Sequence, residues 1–195
     1  MKTSTFLLAV SLLIVLSACD RNSVAPSPVI ESPLIGLFYD GNNQDAPLLQ
    51  GGRTYEAGVR FPQSELGNAS GGTAETIYLY IQDLPESCSV KLYANSSDNT
   101  PENLLYSAVI SSDIEENSWH AHEVGREVIL PDEDIWVVVQ FSHAFNQQTL
   151  GCDPGPAAPD GDWLLDSNDG DWLPLVQRAP GVNINWNIRL AVQPI

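Results

Sequence analysis

Asp153, Asp160, Asp162, Asp166, Asp169 and Asp171 fall within one short stretch of a 195-residue chain, and hard carboxylate oxygens in excess are what a calcium ion takes. The spacing is not that of a helix-loop-helix calcium loop. In Asp166-Ser167-Asn168-Asp169-Gly170-Asp171 the glycine comes one place early, and Gln177 stands where the closing glutamate belongs. Two readings therefore stay open: a structural calcium ion held by the acidic loop, or a hairpin turned by Asp169-Gly170 with Trp163 and Trp172 flanking it across the ladder. Trp163 and Trp172, beside the acidic turn, are also the best-placed ligand platforms, since an aromatic face binds the C–H patch of a sugar while Asn and Asp take its hydroxyls.

The other reactive side chains give weaker signals. His120 and His122 stand two apart on an expected strand and share a face, which is compatible with two metal ligands. With Trp119 and Ala121 on the opposite face, a solvated polar side explains them better. His143 has no sequence neighbour that would make it a base, no serine sits in a nucleophile elbow, and no zinc-protease signature occurs. The chain is expected not to be an enzyme. Cys88 and Cys152 are expected to pair as a disulfide, whose long loop the chain-entropy model values at about 4 kcal/mol. The alternative is two buried thiols packing as small hydrophobes.

The third cysteine carries a different chemistry. Behind Lys2, an apolar run from Phe6 to Leu16 ends in Leu16-Ser17-Ala18-Cys19. This is the pattern of a secretory peptide too short to span a bilayer as a helix, closed by a lipobox cysteine that becomes the acylated N-terminus. Residues 1–18 are thus expected to be a lipoprotein signal peptide, and residues 19–33, with Pro26, Pro28 and Pro33 among small polar residues, a flexible tether. Residues 34–195 form the domain. The expected place is the cell envelope, on the outer membrane, held by acyl chains on Cys19.

From Ile35 onward the apolar period is two, as in Tyr55-Ala57-Val59-Phe61, Ile77-Leu79-Ile81, Cys88-Val90-Leu92 and Ile184-Trp186-Ile188-Leu190-Val192. Trp186, in phase with that last run, faces inward. Ile135-Trp136-Val137-Val138-Val139 is apolar on both faces and predicts a central strand covered on both sides. Shorter strands are expected at 104–110, 119–124 and 127–130, and turn residues separate the runs. No segment after the export signal has helical spacing, so the fold class is all-β: a two-sheet antiparallel β-sandwich or jelly roll. With a formal net charge of −17 the chain repels phosphate backbones and excludes nucleic acid as a partner.

Gly151-Cys152-Asp153-Pro154-Gly155-Pro156, Asn185-Trp186-Asn187-Ile188-Arg189, Ala57-Gly58-Val59-Arg60-Phe61-Pro62, Ile77-Tyr78-Leu79-Tyr80-Ile81, Val90-Lys91-Leu92-Tyr93, Leu105-Tyr106-Ser107 and Asp134-Ile135-Trp136-Val137 together resemble the jelly-roll modules of Bacteroidetes secreted proteases and adhesins, of the cleaved-adhesin type. That resemblance covers most of residues 35–195. It implies a non-catalytic domain that binds a glycan, a host protein or a neighbouring envelope polypeptide, often with structural calcium in acidic loops. Two functions are consistent with it: a lipid-anchored adhesion module, or an accessory subunit of a secretion or polysaccharide-uptake complex with no soluble ligand.

Overall fold

Alternation of apolar and polar residues puts one set of side chains on a single face of each strand, and burying those faces against one another builds the molecule. The computed structural model describes residues 26–30, 33–97 and 100–195, so Cys19 and the expected signal peptide lie outside the described residues. The strands are β1 (Ile35–Leu37), β2 (Arg53–Phe61), β3 (Thr73–Ile81), β4 (Ser87–Ser97), β5 (Thr100–Val109), β6 (Ser118–Glu123), β7 (Ile135–His143), β8 (Trp163–Asp166), β9 (Trp172–Pro174) and β10 (Ile188–Gln193). Two single-turn helices, α1 (Gln63–Leu66) and α2 (Leu175–Arg178), interrupt them.

One sheet runs β1-β10-β3-β6 and the other β5-β4-β7-β2-β8-β9, with every described pair antiparallel. The all-β sandwich is thus the architecture of the described chain. Ala57, Val59 and Phe61 of β2, Val137, Val139 and Phe141 of β7, Ile77 and Leu79 of β3, and Ile188 and Leu190 of β10 meet in one buried core. Trp186 joins it, as its phase requires.

β7 is the doubly covered strand that its sequence predicts. It lies between β4 and β2, and its outward residues Trp136 and Val138 are also buried, beneath Trp163, Trp172 and Tyr93. The Trp136 ring lies 5.3 Å from Trp163 and 5.5 Å from Trp172, both at steep angles. Tilted pairs of this kind add about 0.5–1.5 kcal/mol beyond their burial. Gly58 makes room for the cover: a Cβ there would stand 3.1 Å from the Trp172 ring.

Three expectations are corrected. Cys88 and Cys152 are unbonded thiols. Cys88 is fixed in β4 opposite Phe141, whereas Cys152 lies in a loop bridged to Asp45 and Trp186, and each packs into the apolar core. Residues 127–130 make no strand, only a bridge between Thr73 and Ile129. The last strand starts at Ile188 rather than Ile184, because Asn185 is occupied by Asp153. Of the residues before Pro33, Ser27 donates to Asn42 at 2.9 Å, and the Pro28 carbonyl accepts from Arg189 at 3.3 Å.

Candidate functional site

Between β1 and β2 the chain crosses one end of the sandwich as residues 38–52, and its backbone is stitched to the loop after β7. Gln44 donates to the Cys152 carbonyl at 2.9 Å, Cys152 to the Asp45 carbonyl at 2.8 Å, and Leu49 and Gln147 exchange bonds of 3.0 and 3.1 Å. Opposite this ribbon stand Cys152, Asp153 and Pro154, together with Leu175, Ala179, Val182 and Ile184 from α2 and the loop that follows. The space between is a cleft of about 750 Å³. That size suits a small ligand.

The cleft has an aliphatic floor and an amide rim. The exposed Leu48 forms its lip. Gln148 spans one side, donating to Asp45 Oδ1 at 3.0 Å and to the Ala46 carbonyl at 2.5 Å. Asp153 ties the opposite wall together: it accepts from the backbone of Gly41 at 3.0 Å, Gly155 at 2.9 Å and Asn185 at 2.8 Å, and from the Asn185 amide at 3.1 Å. A second cleft, about 740 Å³ and lined by Pro26, Ser27, Asn42 and Asn43, shares Gln44, Asp153 and Pro154 with the first.

Behind the second cleft lies a polar centre that sequence reasoning missed. Arg189 of β10 is almost fully buried, as is its partner Asp40. Arg189 Nε donates to both Asp40 oxygens at 2.9 and 3.1 Å, and Nη2 to Asp40 at 2.9 Å and the Gly41 carbonyl at 2.8 Å. Its guanidinium lies between the rings of Trp119 at 4.6 Å and Phe38 at 5.0 Å. Asn187 adds a 2.6 Å bond to Asp40. The one sequence signal was an arginine amid Ile188 and Leu190, on the polar phase of an otherwise apolar strand.

The six aspartates of the acidic stretch are dispersed. Asp153 is occupied as described; Asp160 accepts from Trp163 Nε1 at 3.3 Å; Asp162 accepts from Val176 N at 3.2 Å, and burial pushes its carboxyl up. Asp166 binds Arg53 and the Asn168 amide, Asp169 forms an ion pair with Arg178 at 2.5 Å, and the Asp171 carbonyl takes a further bond from Arg178. Among the described residues no three carboxylate, imidazole or thiol groups converge on one point. Asp169-Gly170 is the turn of a β8–β9 hairpin, with Gly170 at φ 76°.

Trp163 is only 6% exposed, so its ring is a wall of the outer aromatic cluster and not a sugar platform; Trp172 is half-buried beside it. His120 and His122 are opposite Leu79 and Ile77 in the ladder and so point toward the core side, the reverse of the expected face. His122 Nε2 lies 2.9 Å from the Tyr106 hydroxyl. Burial lowers both imidazoles, and His122 adds to the lowering of His120. Burial likewise pushes both thiols up to about 12, with the charges of Asp45 and Asp153 adding to the effect at Cys152.

No protein-family model and no curated protein matches the chain. Among solved structures it is similar to the clostridial cysteine protease Cwp84 after propeptide cleavage, with a TM-score of 0.61 and 9% identity over 85% of this chain and 41% of that one. It is also similar to the cysteine protease and lectin-like domains of Cwp84, a surface-layer-associated protein of Clostridium difficile, with a TM-score of 0.53 and 12% identity over 73% of this chain and 32% of that one. The chain thus spans less than half the length of each structure it matches, and at these identities the likeness is one of fold.

Proposed function

We propose that this protein is a lipid-anchored, non-catalytic binding module of the cell envelope that holds a neutral glycan in the cleft at the end of its sandwich. The observation that carries this reading is the cleft itself: an aliphatic floor from Leu49, Leu175, Val182 and Ile184 beneath an amide rim. Such a lining offers C–H contacts and hydroxyl partners in one place. The net charge of −17 favours an uncharged ligand over an acidic one. A catalytic role for the thiols is disfavoured, because thiols held near 12 supply no thiolate at neutral pH. The fold likeness to chains that include a lectin-like domain supports the same reading. Attachment is through acyl chains on Cys19; no helix of the described residues is long and apolar enough to cross a membrane.

Glycan-array binding by the detergent-solubilised protein tests this. Binding to a defined set of neutral oligosaccharides is expected, and Val182→Arg, which fills the cleft with a long charged side chain, should abolish it while leaving the melting curve cooperative. A silent array, or binding that Val182→Arg leaves intact, overturns the assignment. A second reading is favoured by one observation: β5 is an edge strand carrying Leu104 at 56% and Val109 at 78% exposure, a surface suited to another polypeptide. On that reading the chain is an accessory subunit, and one envelope protein should co-purify with it stoichiometrically.

A further inference from the structure

We propose that residues 26–30 are a strap that seats the two clefts against the membrane carrying the lipid, so that the glycan read there is one displayed on that same membrane. This rests on Cys19 being acylated. The strap is held to the sandwich by two hydrogen bonds and one apolar contact. Ser27 donates to Asn42 at 2.9 Å, Arg189 donates to the Pro28 carbonyl at 3.3 Å, and Ile30 lies on β1 so closely that a Cβ on Gly36 would stand 2.6 Å from its terminal methyl. The second of these contacts comes from a guanidinium that cannot swing away, being fixed by Asp40 and by the Trp119 and Phe38 rings. Residues 20–25 are all that separates Cys19 from the strap, and fully extended they reach about 20 Å.

The place where the strap docks decides what faces the lipid. Pro26 and Ser27 are themselves a wall of the second cleft, whose Gln44, Asp153 and Pro154 continue into the first. The opposite side of the sandwich is marked by β5, which joins the β6 edge through Tyr106 and His122, while β1 forms the other edge of that sheet. An anchor at β1 therefore holds Leu48 near the surface and Val109 far from it.

Full-length acylated protein in phosphatidylethanolamine–phosphatidylglycerol vesicles tests this with single introduced cysteines, the native thiols being buried and protonated. A nitroxide at Val29→Cys, where the native side chain is 83% exposed, should be motionally restricted, and Ile30→Asp should release it. Energy transfer to a headgroup acceptor should be several-fold stronger from a dye at Leu48→Cys than from one at Val109→Cys, and Ile30→Asp should bring the two together. A freely moving nitroxide in the Ile30 parent, or equal transfer from both positions, overturns the strap. Failure of the acylation reading shows separately, as absence of palmitate incorporation and of vesicle binding; it removes the membrane half of the proposal while the nitroxide result still decides the strap.

Discussion

The acidic hairpin and the Arg189 centre both pair arginine with aspartate, yet they sit in opposite environments. At the hairpin, Arg178 binds an Asp169 whose side chain is half exposed, in a stretch whose density of carboxylates draws the eye in the sequence. Arg189 and Asp40, far apart along the chain and inconspicuous in it, are buried together, with the guanidinium lying over the Trp119 and Phe38 rings. Solvent screens the first pair to about 0–1 kcal/mol. The second pair is removed from that screening, so its partners depend on each other. Density of carboxylates along a sequence does not say which ion pair matters; burial does.

The strongest way to break this contrast is to truncate each arginine. Arg189→Met leaves Asp40 buried without its counter-charge and is expected to cost about 3–5 kcal/mol, read as a shift in the urea midpoint, whereas Arg178→Met should cost less than about 1 kcal/mol. Equal losses would show the hairpin pair to be as structural as the buried one. Titration sharpens the comparison with a smaller effect. His120 and His122 are held below the ordinary imidazole range chiefly by burial, with Asp113 opposing this at both and Glu123 at His122, and Tyr106 packs against His122. A folded value below the unfolded one means that the folded chain binds fewer protons. Stability is therefore full above about pH 6.5 and falls as pH drops through it. Asp169, lowered by its bond to Arg178, acts only at still lower pH and weakly because it is exposed. Melting temperatures from pH 7.5 to 5 should decline in the parent and flatten in His120→Gln/His122→Gln. The smallest expected effect is that of a chelator: with the carboxylates of 153–171 dispersed among other partners, EDTA should leave the melting temperature unchanged, and a downward shift would restore calcium to the hairpin.

Period-two alternation was enough to read the sandwich, because the inward residues of its central strands β2, β7, β3 and β10 are apolar whatever those strands pair with. β7 was legible for the same reason, since Trp136 and Val138 on its outer phase require a cover. What stayed hidden depended on distance along the chain. Asp40 and Arg189 lie at opposite ends of the domain and announce themselves only when β1 and β10 pair. The cleft is built from residues 44–49, 148–154 and 175–184; of these only 151–154 stood out in the sequence, and not as the wall of a cleft. His120 and His122 were assigned to the wrong face because Trp119 looked like the core residue, whereas on this sheet the outward side is itself occupied by Arg189 and needs an aromatic partner. Composition at the proline-rich start of the domain likewise does not register the Pro28 carbonyl captured by a fixed guanidinium.

Cys88 and Cys152, packed as ordinary small side chains, have a consequence for how the protein is made. No disulfide joins Cys88 to Cys152, so the core they pack into forms without an oxidant and is indifferent to the redox poise of its surroundings. The sandwich is reached alike in a reducing or an oxidising compartment.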